Sequence, residues 1–150
     1  EHIPNPIKTF RLLYDLLNKD GVLFIEVPNL ETKDASPHNI FFRAHIHYFT
    51  EATLISAASR YFEKIDAEVG SNLRVLFRRK NIVEDNLIFP SRNQVNQTAL
   101  RIHNKGWFEY ITYGQGYKKL LFRIKQLFIE SKLQYDSGIN LLDDIFNGLI

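Results

Sequence analysis

The stretch from Asn5 to Asn29 limits the fold more than any other part of the chain, because it packs a whole helix–turn–strand unit into few residues. Asn5-Pro6 marks a helix start: Asn5 is suited to cap free N–H groups, and Pro6 to the first helical position, where its missing N–H costs nothing. Apolar residues then recur at Ile7, Phe10, Leu13, Leu16 and Leu17 with helical spacing. Asp20-Gly21 closes the helix, with Gly21 expected in the left-handed conformation. Val22 to Val27 is an apolar run broken only by Glu26, the pattern of a buried parallel strand, and Pro28-Asn29 ends it. A helix joined this tightly to a strand implies an α/β fold.

The same reading extends along the chain. Residues 30–42 form an irregular loop with a turn at Ser36-Pro37. Thr50 is a helix N-cap with Glu51 in the first turn, and that helix is expected to run to about Phe62. Ile65 to Val69 and Leu73 to Phe77 read as a hairpin around Gly70-Ser71-Asn72, after which Arg78-Arg79-Lys80 leaves the sheet. Residues 81–93 look like a linker. Three helices follow, at about 94–112, 117–134 and 139–148, the second with an apolar stripe of Leu120, Leu121, Ile124, Leu127 and Phe128. The expected division is therefore 1–80, a linker at 81–93, and a helical extension at 94–150.

Composition excludes several classes. Lys and Arg number 19 against 17 Asp and Glu, so neither half has the basic excess that nucleic-acid binding usually shows. No stretch approaches the roughly 20 apolar residues that a membrane span needs. With no cysteine in the 150 residues, disulfides, thiolate zinc sites and cysteine nucleophiles are excluded, which fits a cytoplasmic location. The chain also contains no methionine, even at position 1, and is expected to be part of a longer one.

Taken in order, Glu1-His2-Ile3-Pro4-Asn5-Pro6, the turn Leu17-Asn18-Lys19-Asp20-Gly21 into a strand ending in Val27-Pro28-Asn29, the segment His45-Ile46-His47-Tyr48-Phe49-Thr50 before a helix, and a closing strand pair resemble one known arrangement. They are similar to the C-terminal half of a class I S-adenosylmethionine-dependent methyltransferase, over about residues 1–80. Asp20 and a single Gly21 stand where that family has Pro-Gly-Gly. The resemblance implies an incomplete doubly wound, Rossmann-like α/β sheet followed by a helical appendage. It also implies that the family's glycine-rich loop and acidic ribose partner lie upstream of Glu1. Ligands of such sheets bind at the carboxyl ends of the strands, so this part should form one wall of a cleft.

On that resemblance, Glu1 and His2 are the cofactor-side residues, with S-adenosyl-L-methionine as cofactor. Asn29, Arg43, His45 and Tyr48 are the acceptor-binding residues, and His47 or His2 is the general base for a hydroxyl acceptor. The acceptor implied is a small molecule, including sugars and precursors of cell-surface polysaccharides. Plainer roles compete: a histidine packed on the next helix, or Asn29 as an ordinary turn residue. No metal is expected at His45-x-His47, because there is no cysteine and no acid motif nearby. Gly114-Gln115-Gly116 follows a helix and lacks a third glycine, so it is not a dinucleotide loop. The Lys118, Lys119, Arg123, Lys125 and Lys132 face reads as solvated, and Trp107, Phe108, Tyr110 and Tyr113 as core or interface. In this reading the helical appendage covers the acceptor site or forms a dimer contact; the contrasting reading is a non-catalytic interaction module that uses the C-terminal helices.

Overall fold

The computed structural model describes residues 1–132 and 146–147. Its elements are α1 (Pro6–Leu16), β1 (Val22–Pro28), a 3-10 turn (Pro37–Asn39), α2 (Glu51–Ala58), β2 (Phe62–Val69), β3 (Asn72–Arg79), α3 (Arg92–Asn104), α4 (Trp107–Thr112) and α5 (Gly116–Lys132). The helix expected at 139–148 lies outside the described residues, apart from 146 and 147. The chain divides into two compact units, Glu1–Gly114 and Gln115–Ile150.

α1 begins as its sequence dictates: the Asn5 side chain accepts the Lys8 N–H and Pro6 occupies the first turn. Its end differs from expectation. Asp20, not Gly21, takes the left-handed conformation (φ 62°). Gly21 is required for another reason, because a Cβ there would lie 2.9 Å from both the Asn18 carbonyl oxygen and the Leu17 side chain.

The three strands form one sheet in the order β1-β3-β2, with both pairings antiparallel. The strand read as parallel and buried is thus antiparallel to its neighbour and lies at an edge, because the hairpin folds β3 back between β1 and β2. Leu73, Val75 and Phe77 of β3 are wholly buried beneath Phe10 and Tyr14 of α1 and Leu54 and Ala58 of α2. β1 presents Leu23, Ile25 and Val27 to that same core, in line with the two-residue alternation of a strand.

A bulge at Ile65 shifts the β2 register between Lys64 and Asp66. Phe62 and Lys64 face the helices before it, and Ala67 and Val69 after it, while Glu63, Asp66 and Glu68 stay on the opposite face beside Arg78 and Arg74. Without the extra residue, Asp66 and Glu68 would point into the core.

α2 stops at Ala58, earlier than expected. Thr50 and Thr53 cap its start reciprocally, and Ser59 turns back onto the Ser56 carbonyl so that Phe62 enters the core from a strand. Arg78 and Arg79 remain in the sheet: Arg79 donates to the Tyr14 carbonyl and lies 3.8 Å from the centre of the Tyr14 ring. The single helix expected over 94–112 is two, broken at Lys105-Gly106. α3 has the capping box Ser91/Gln94 and no buried residue. Both helices hold the loop after β1 instead: Thr98 and Arg101 bond the Glu31 carboxylate, Lys105 bonds the Thr32 carbonyl, and Trp107 contacts His38. Trp107, Phe108 and Tyr113 are exposed, so they lie outside the core.

Candidate functional site

The loop 42–49 closes on the first four residues beyond the carboxyl end of β1. The Glu1 carbonyl accepts two N–H groups, from Ile46 (2.9 Å) and His47 (3.1 Å). His2 Nδ1 donates to the Ala44 carbonyl at 2.8 Å, and His47 Nε2 donates to the Pro4 carbonyl at 3.3 Å. A carbonyl only accepts, so each contact fixes which ring nitrogen carries hydrogen. In the neutral rings, His2 then has Nε2 as its lone-pair nitrogen, and His47 has Nδ1.

Tyr48 shapes the loop from within: its hydroxyl donates to the Phe42 carbonyl (2.6 Å) and accepts the Phe42 N–H (2.8 Å). The His45 ring sits among His2, Phe42 and Tyr48, at centroid distances of 4.9, 5.1 and 5.8 Å. Arg43 is exposed on the same loop. At the far end, Asn29 pairs in parallel with Phe49, and Leu30 N–H bonds the Phe49 carbonyl. Asn29 is buried; its amide donates to the Gly70 carbonyl and its Oδ1 accepts the Glu31 N–H. It therefore anchors the turn after β1 to the β2–β3 hairpin.

The fold thus gathers Glu1, His2, Arg43, His45, His47 and Tyr48 in one place and ties Asn29 in as a support. Beside Glu1 a cleft of about 340 Å³ runs along the outer edge of β1, walled by Ile3, Phe10, Leu13, Phe24 and Val27. The sequence signal for it was the continuous apolar run of β1, in which Val22 and Phe24 face away from the core. Glu26 lies on that edge. Hydrogen bonds from Asn72 and then from Arg74 hold its carboxyl below the ordinary value. Sequence reasoning also missed Glu31, whose partners come from distant α3.

Residues 1–62 match the family model of a methyltransferase domain. No curated protein and no solved structure matches the chain. The methyltransferase match takes in every site residue named above and ends at Phe62, the first residue of β2. A methyltransferase domain implies S-adenosylmethionine as donor. Among the described residues no strand leads into a glycine-rich loop: β1 runs into Asn29 and β2 into the Gly70-Ser71 turn. No helix among them is long and apolar enough to cross a membrane.

Proposed function

We propose that the loop 42–49 forms the acceptor side, set against the cofactor-side residues Glu1 and His2, of an S-adenosylmethionine-dependent methyltransferase that acts on a small hydroxylated molecule, a sugar or polysaccharide precursor. The observation that carries this reading is the closure of that loop onto Glu1 and His2 at the carboxyl end of β1, where α/β sheets bind their ligands. Arg43 and Tyr48 orient the acceptor, and His47 takes the proton from its hydroxyl. The Nε2 contact with Pro4 leaves His47 Nδ1 as the basic nitrogen, and imidazole is the side chain whose ordinary pKa lies nearest neutrality. The location that fits is the cytoplasm.

Amide NMR of the chain with a panel of sugars and nucleotide sugars tests the reading. Shifts concentrated at residues 42–48 are expected with at least one acceptor. In a chain that also carries the donor's glycine-rich loop, labelled S-adenosylmethionine should pass its methyl group to that acceptor, and His47→Ala should slow the transfer by about 10²–10⁴-fold. Acceptors that leave the loop resonances unmoved throughout would sink it.

A second reading, an interaction module, is favoured by α5. Its Leu120, Phe122 and Phe128 are each more than 60% exposed. Light scattering of a Leu120→Lys/Phe128→Lys double variant tests it: the chain should self-associate and the variant should not.

A further inference from the structure

The acid closest in sequence to His45-x-His47, Glu51, pairs with Lys64, but the fold supplies another from the start of the matched segment. We propose that Glu1, His2 and His45 bind a divalent transition-metal ion of the zinc type. One carboxylate oxygen and one ring nitrogen from each histidine lie within 4.8 Å of one another. His2 Nε2 stands 3.6 Å from Glu1 Oε1, longer than a hydrogen bond. Ligand atoms about 2.0–2.1 Å from a tetrahedral ion lie roughly 3.3 Å apart, so modest side-chain rotations bring the three into a coordination shell. The ring planes of His2 and His45 are inclined at 76°, so neither ring lies flat over the other.

The surroundings prepare the ligands. His2 donates its Nδ1–H to the Ala44 carbonyl, the outer contact that metal-bound histidines characteristically make, and this turns Nε2 toward Glu1. The Glu1 carbonyl is pinned by Ile46 and His47 N–H, which fixes the acid against the histidine loop despite their distance in sequence. The Glu1 and His2 side chains are 24% and 56% exposed, so an ion reaches them from solvent. Two neutral imidazoles and one carboxylate carry a net single negative charge. That nitrogen-rich set suits zinc, iron(II) or cobalt(II) over calcium or magnesium, and three protein ligands leave coordination positions for water or another oxygen ligand.

Calorimetric titration of the chain with Zn²⁺, with Co²⁺ as an optical probe, tests the site without donor or acceptor present. The result therefore stands apart from the methyl-transfer reading. One ion per chain is expected, with binding weakened about tenfold or more by Glu1→Gln and by His45→Ala, and unchanged by His103→Ala on α3. Glu1→Gln keeps the main-chain carbonyl that anchors the loop, so its loss of binding is not a loss of fold. Circular dichroism checks both variants. Binding abolished by His2→Ala but kept in Glu1→Gln and His45→Ala marks a chelate of the terminal amine and overturns the proposal. So does an equal loss in His103→Ala, or the absence of saturable binding.

Discussion

The two edges of the sheet are built on opposite plans. β2 carries Glu63, Lys64, Asp66 and Glu68 along its length and a bulge at Ile65, the devices by which sheet edges discourage further pairing. β1 has neither. Its odd-numbered residues bond β3, as the Arg79 N–H to Gly21 and Asn29 N–H to Ser71 contacts at its two ends show. Val22, Phe24 and Glu26 therefore turn their main-chain groups outward, and no strand among the described residues pairs with them. Pro28 falls on the same outward register, where the missing N–H costs no ladder bond. Val22 and Phe24 are 55% and 58% exposed, and Phe24 lines the apolar cleft. One edge combines open hydrogen-bonding groups with apolar side chains; the other combines charges with a bulge.

The largest expected effect comes from removing what both edges lean on. Phe77 lies opposite Leu23 on one side and Lys64 on the other, and is completely buried. Phe77→Ala should cost about 3–5 kcal/mol in urea unfolding and loosen both outer strands together. Loss confined to β2 in hydrogen exchange would mean that β1 is held independently. Next, Phe24→Lys should suppress concentration-dependent association in light scattering, whereas Lys64→Phe should increase it. If the two substitutions act alike, the contrast between the edges is wrong.

Thr50→Ala removes the capping box of α2, the helix that covers the sheet centre, and should cost about 1 kcal/mol without changing association. The smallest effect is acid sensitivity at the β1 edge. Glu26 ionises more readily in the folded chain, so its contribution to stability is present above the ordinary glutamate value of 4.5 and fades as pH falls through the lower folded value. Glu26→Gln should flatten the acid limb of the stability–pH curve, and Arg74→Ala should move the Glu26 carboxyl resonance midpoint upward.

Much of the candidate site was legible as residue types. His45, His47 and Tyr48 stand in one short segment and Glu1-His2 in another, and likeness to the methyltransferase pattern joined them. What each atom does was not legible. The Nδ1 of His2 is spent on Ala44 and the Asn29 amide on Gly70, contacts made across forty or so residues. Nor does the sequence show that Glu1 completes a set with His2 and His45, because main-chain bonds from Ile46 and His47 bring them together.

The sequence by itself determined the local elements whose signals are short-ranged: the Asn5-Pro6 and Thr50 helix starts, the β1 run, and the Gly70-Ser71 hairpin. Caps and turns depend on bonds between neighbours, so a few residues suffice to specify them. Tertiary structure decided the rest. It set β1 antiparallel at an edge by placing β3 in the middle, and ended α2 early so that Phe62 entered the core as strand. It also placed a bulge where alternation alone would have buried Asp66 and Glu68. Each of these outcomes is fixed by which residues share a buried face, and that depends on partners far away along the chain.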